Sequence, residues 1–201
     1  MNDMRAIETA IFDVDGTLTT HDSLPLLIAL ALKRRPSRAL VLLVNAPLIA
    51  FLVSRSAARA KERLLGTVLR GMRRDELCAL GDAVASRLAL STDLRPLIDE
   101  HRRLGHDVWL ASASIEPVVG ALAERVGATG HVATRLAFDH GVCTGRFAGA
   151  NCKGNEKLRR LDEVLEDGWR ELAIAYSDSK ADQPLMDAAS ACRWVRRGML
   201  R

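Results

Sequence analysis

The chain has 201 residues, 48% of them hydrophobic and 27% charged, which is enough for one good core with a small appended domain and too apolar for a disordered tail. Its net charge of +4 hides an asymmetry, because residues 23–74 hold eleven Lys or Arg against Glu62 alone. That excess points to an anionic partner, such as a membrane surface or an acidic substrate, or to a solvated arginine-rich face.

Nucleic acid is disfavoured as that partner, since the basic segment offers only Phe51 for stacking on bases. The opening MNDMRAIETA carries acids early and no apolar run, so it does not read as a signal peptide. Cys78, Cys143, Cys152 and Cys192 lack CxxC or zinc-site spacing and read as reduced, mostly buried thiols of a cytoplasmic protein.

In chain order, residues 7–13 (IETAIFD) form a short apolar run that reads as a buried parallel strand. Strand signals then vanish until about residue 91. The pattern predicts helices over 24–32, 39–53, 57–69 and 75–88, the last with Leu77, Leu80, Val84 and Leu88 on one stripe. The run ALVLLVNAPLIAFLV, 39–53, is shorter than the roughly 20 residues a simple span needs and contains Asn45 and Pro47. It reads first as a buried helix, then as an interfacial contact or a span. In an interfacial contact Lys33, Arg34, Arg35, Arg38, Arg55 and Arg59 would face anionic headgroups.

Strands follow over 107–112 and 172–177. Between them lie helices over 117–126, closed by Gly127, and 155–167, and a hairpin over 133–147 centred on Asp139-His140-Gly141. Strands alternating with helices define an α/β protein with a right-handed parallel sheet, interrupted by a four-helix insertion after its first strand.

The chemistry sits where the strands end. Asp13 and Asp15 close the first strand with one valine between them, and two buried carboxylates so close need a cation or water. Ser112 ends the second strand, Lys153 precedes a helix in Asn151-Cys152-Lys153-Gly154, and Asp178 and Asp182 follow the third strand. Each alone is an ordinary turn, cap or surface residue. On one rim of a parallel sheet, together, they supply what phosphoryl transfer through an aspartate needs. Asp13 would be the nucleophile and Asp15 the acid–base group. Asp178, Asp13 and the backbone carbonyl of Asp15 would hold Mg²⁺. Ser112 and Lys153 would bind phosphate, and Asp182 would fix Lys153 or a metal-bound water.

With Asp13-Val14-Asp15-Gly16-Thr17, Ser112, Lys153 and Asp178/Asp182 in that order, the chain resembles the haloacid dehalogenase-like phosphatases, including the phosphoserine phosphatase group. The resemblance implies a Rossmann-like core over 1–18 and 92–201 and an all-helical C1 cap over 19–91. It also implies a Mg²⁺-dependent phosphomonoesterase. A narrower likeness, to bacterial phosphatases of phosphatidylglycerophosphate, rests on LALKRRPSRALVLL, on Tyr176-Ser177-Asp178-Ser179 with Asp182 and Pro184-Leu185, and on Arg193-Trp194 with Arg197-Gly198. The expected substrate is therefore an anionic phospholipid phosphate, handled in the cytoplasm or at the cytosolic membrane face. The alternatives are a soluble metabolite such as phosphoserine and a catalytically silent membrane-docking module.

Overall fold

Apolar residues on both sides of a short strand can be buried only if both faces of its sheet are covered. All four residues of β1 (Thr9–Phe12) are buried. Ala10 and Phe12 join one core cluster and Ile11 the other, as the two-residue period of a strand requires. The computed structural model describes residues 7–196 and 198–200; most of the N-terminal signal-peptide question, and Arg197 of the tail motif, lie outside them.

Seven further strands follow: β2 (Asp107–Ile115), β3 (Gly130–Thr134), β4 (Leu136–Asp139), β5 (Val142–Phe147), β6 (Ala173–Ser177), β7 (Ala191–Arg196) and β8 (Met199–Leu200). The main sheet runs β3-β2-β1-β6-β7, all parallel, with β8 antiparallel on the β7 edge. β1 is central, with Phe12 opposite Leu110 on one side and Tyr176 on the other. The segments just past these three residues therefore share one rim. The expected hairpin is shorter than predicted: 130–134 joins the parallel sheet as β3, and β4 pairs with β5 alone through a turn in which His140 and Gly141 both take positive φ.

Between β1 and β2 lie α1 (Ser23–Arg34), α2 (Ser37–Arg55), α3 (Ala57–Leu69), α4 (Arg74–Ala85) and α5 (Leu94–Arg103), the last missed from sequence. α6 (Glu116–Val126) follows β2 and is closed by Gly127 in the left-handed conformation. α7 (Asn155–Asp162) is shorter than expected, and α8 (Gln183–Ala188) leads into β7. α5 and α6 cover the sheet face bearing Phe12, and α7 and α8 cover the face bearing Ile11.

α4 lies across α6, and its stripe of Leu77, Leu80, Val84 and the following Leu88 is fully buried there, as predicted. The chain passes into and out of the α1–α4 segment at one place. There Ser91 N–H donates to the Leu18 carbonyl and Thr20 N–H to that of Ala89.

Two expectations are corrected. α2 is not a buried helix: none of its residues is buried, because it touches the rest of the molecule mainly along α3. Of the four cysteines, Cys143 and Cys152 are buried while Cys78 and Cys192 are exposed, all unpaired.

The α4–α6 crossing depends on Gly81, where a methyl group would press into the backbone carbonyl of Pro117. Gly81→Ala should cost about 1–3 kcal/mol despite alanine's better helix propensity. Urea unfolding checks this, and an unchanged or raised midpoint would show that the two helices do not meet at this point.

Candidate active site

A strand that ends against the sheet rim needs a turn, and the DVDGT segment makes one: Thr17 N–H and Thr19 N–H both return to the Val14 carbonyl. Gly16 takes φ +81°, and a Cβ there would stand 2.5 Å from Asp178 Oδ2, so the position demands glycine twice over. The turn aims Asp13 inward and Asp15 toward the helical segment.

Asp13 is buried and held at both oxygens. Lys157 Nζ stands 2.8 Å from Oδ1, and the Thr17 hydroxyl 3.2 Å from Oδ2. Thr17 also lies 3.0 Å from Asp178 Oδ1 and accepts the Asp178 N–H, so one hydroxyl ties the ends of β1 and β6 together. Lys157 reaches Asp182 Oδ2 at 2.7 Å, and Ser177 Oγ donates to the same oxygen. Asp15 is gripped by the start of α1, accepting from Ser23 N–H at 2.7 Å and from Ser23 Oγ at 3.1 Å. Ser23 Oγ in turn meets Ser114 Oγ, and Ser114 N–H donates to Ser112 Oγ, both within β2, which runs on to Ile115 and does not end at Ser112 as expected.

The structure thus brings Asp13, Asp15, Ser112, Asp178 and Asp182 to one rim, and it replaces the predicted lysine. Lys153 is exposed, whereas Lys157 is buried. The reason is helical. Gly154, at φ +60°, turns the chain into α7, and side chains in a first turn lean back toward the N-terminus, here the rim. The signal was a lysine four residues before Leu161, on the apolar stripe.

A second cation was also missed. Lys61 of α3 crosses to the Ala113 carbonyl at 2.6 Å and to Asn151 Oδ1 at 3.3 Å. It stands close enough to Asp15 and Lys153 for both to act on its charge.

Burial pushes the Asp13 carboxyl up to about 6, against the pull of Lys157, with Asp182 and Asp15 adding to the rise. Burial also raises Asp15, opposed by its bonds from Ser23. Lys157 is desolvated, but its two carboxylates more than offset this and hold it protonated. Burial lowers Lys61 to about 8. The site is short of positive charge. Among the described residues no three His, Cys, Asp or Glu side chains form a metal cluster. The hard-oxygen pair that does converge, through Thr17, is Asp13 and Asp178.

The family model for haloacid dehalogenase-like hydrolases matches residues 10–187, and the chain belongs to that family. A Mycobacterium tuberculosis protein named "probable phosphatase" is 39% identical over 94 residues, which are 46% of this chain and 32% of that one. The CicA protein of Caulobacter vibrioides is 31% identical over 183 residues, covering 89% of this chain and 81% of its own. A crystal structure of phosphoserine phosphatase shares the fold, with a TM-score of 0.64 at 19% identity over 92% of this chain and 84% of that one.

Replacing Lys157 by Met would leave two carboxylates buried without their cation, a loss of about 3–5 kcal/mol. Lys153→Met should stay within about 0.5 kcal/mol of the parent. Denaturant unfolding at neutral pH compares them, and greater damage in the Lys153 variant would contradict the assignment.

Proposed function

We propose that the protein hydrolyses phosphomonoesters through an aspartyl-phosphate on Asp13. The observation that carries this reading is the fixed Asp13 carboxylate, held by Lys157 and Thr17 with Asp15 two residues along the same turn. Asp13 attacks phosphorus while Asp15 protonates the departing alkoxide; water then attacks the aspartyl-phosphate, giving its proton to Asp15 and regenerating Asp13. A carboxyl raised by burial suits that exchange of protons. The Ser112 hydroxyl and the N–H groups opening α6 donate to phosphate oxygens, and Lys157 and Lys61 balance charge.

The donor set fits a hard divalent cation. Mg²⁺ would be held by the carboxylates of Asp13 and Asp178 and the Asp15 carbonyl. When bound, it supplies positive charge against the phosphate. Residues 19–91 act as the cap over a core of 1–18 and 92–201, since the chain enters and leaves them at the paired Leu18–Thr20 and Ala89–Ser91 segments.

The favoured substrate is an anionic phospholipid phosphate such as phosphatidylglycerophosphate, met at the cytosolic face of a membrane. The exposed apolar α2 and the arginines around it support this. A soluble ester such as phosphoserine is the second reading, favoured by the likeness to phosphoserine phosphatase. A silent docking module is disfavoured by the full set of carboxylates at the rim.

Asp13→Asn should lower turnover of p-nitrophenyl phosphate by roughly a thousandfold or more, and excess chelator should abolish it reversibly. Near-normal turnover in Asp13→Asn would sink the mechanism. A panel of lipid and soluble phosphomonoesters separates the two substrate readings.

Lys61 carries its proton below about pH 8 and loses it above. KM for a small phosphate ester should therefore stay low up to that pH and climb beyond it. Lys61→Met should show a raised KM throughout with no such break, and a break that survives the substitution would assign the titration elsewhere.

A further inference from the structure

α2 exposes a continuous apolar face. Leu40, Leu43, Val44 and Phe51, at helical spacing, are more than half exposed, and no charged residue lies between Arg38 and Arg55. By length and composition the helix could cross a membrane. Its opposite side argues against crossing: Asn45 Oδ1 accepts from Arg63 Nε at 3.0 Å and from a terminal guanidinium nitrogen at 2.5 Å, locking α2 along α3. A span would drag that guanidinium into hydrocarbon.

Beside this face, between α2, α3 and β5, opens a cavity of about 470 Å³. Arg38, Arg59, Arg63, Arg70 and Arg146 line it, with Val41, Leu48 and Leu52 forming an apolar wall. Its one carboxylate, Glu62, accepts the Phe147 N–H. Arg59, Arg63 and Gly66 share one face of α3, with Arg70 just past its end, while Lys61 points the other way, to the rim around Asp13. The cavity is therefore separate from the site around Asp13.

The basic residues at the head of α2 are not all available to a surface. Arg34 donates to the Glu76 and Ala79 carbonyls, and Arg35 pairs with the Glu76 carboxylate at 2.8 Å. Within the cavity Arg38 donates to the Arg70 carbonyl and Arg63 to Asn45, both neutral partners, so their charge stays beside that of Arg59, Arg70 and Arg146.

We infer that this cavity binds the headgroup of an anionic phospholipid in a bilayer, with α2 lying in the membrane interface and its outer side chains among the acyl chains. The arrangement places five guanidinium groups next to an apolar helix face, the two halves of an anionic amphiphile. A second copy of the chain fits the face poorly, because a two-fold contact along α2 would bring arginine clusters together. The inference is independent of which ester is hydrolysed, and its test reads binding alone.

Flotation with vesicles of phosphatidylcholine, alone or mixed with phosphatidylglycerol, provides that test. The full chain should partition onto the mixed vesicles at least about tenfold better, and the preference should fade with added salt. Arg59→Glu/Arg146→Glu should remove most of the preference, since neither guanidinium is needed to hold α2 on α3. Leu43→Gln/Phe51→Gln should weaken binding to both vesicle types, and thermal unfolding confirms that each variant is folded. Equal binding to the two compositions, an undiminished preference in the double arginine variant, or a lipid-free dimer that buries α2 would each overturn the inference. Inorganic phosphate displacing the protein from mixed vesicles at millimolar concentration would also overturn it, by making the cavity a free-anion site.

Discussion

One buried ammonium group holds the rim together. Lys157 Nζ stands between Asp13 and Asp182, each within 2.8 Å and all three almost fully buried. Two carboxylates in a low-dielectric site would repel strongly, and a single cation between them turns that repulsion into a fixed geometry. Because Asp13 belongs to the end of β1, Asp182 to the turn before α8 and Lys157 to the first turn of α7, the contact sets where three elements meet. The Asp13 oxygen opposite Lys157 is then left for Thr17, which extends the same order to Asp178. Burial raises the Asp13 carboxyl against the pull of Lys157, and the neighbouring Asp182 and Asp15 add to the rise. A site in that condition gains from any further positive charge, whether Lys61 or a divalent cation.

The helical segment completes this rim as well as covering it. Ser23 opens α1 and fixes the Asp15 carboxylate, and Lys61 on α3 crosses to the backbone beside Ser112. Its buried leucines share one core cluster with α6. α3 thus has two chemically different faces, one turned through Lys61 to the rim beside Ser112 and one to the arginine-lined cavity under α2. Movement of the segment would shift both together.

Much of this was legible from residue patterns. The parallel strands announced themselves as short apolar runs, and the stripe through Leu77 and Val84 marked α4 correctly. Carboxylates at strand ends gave away the rim. The lysine was misplaced because Lys153, beside a glycine in a loop, looks more like a ligand residue than a lysine inside a helix; which lysine is buried depends on the turn at Gly154. Lys61 was invisible for a similar reason, since only the packing of α3 over the rim brings it to Ala113. The exposure of α2 contradicts the usual inference from an apolar run to a buried helix. Nothing local in its sequence says that no element covers its outer face.

The central claim is that Asp13 carries the phosphoryl group. The most direct measurement is acid quenching during turnover of a ³²P-labelled phosphomonoester, followed by mapping of the labelled peptide. The account predicts label on the peptide containing Asp13, lost in Asp13→Asn and discharged by neutral hydroxylamine as an acyl phosphate. Label on Ser112 or on any other residue, surviving in Asp13→Asn, would contradict it.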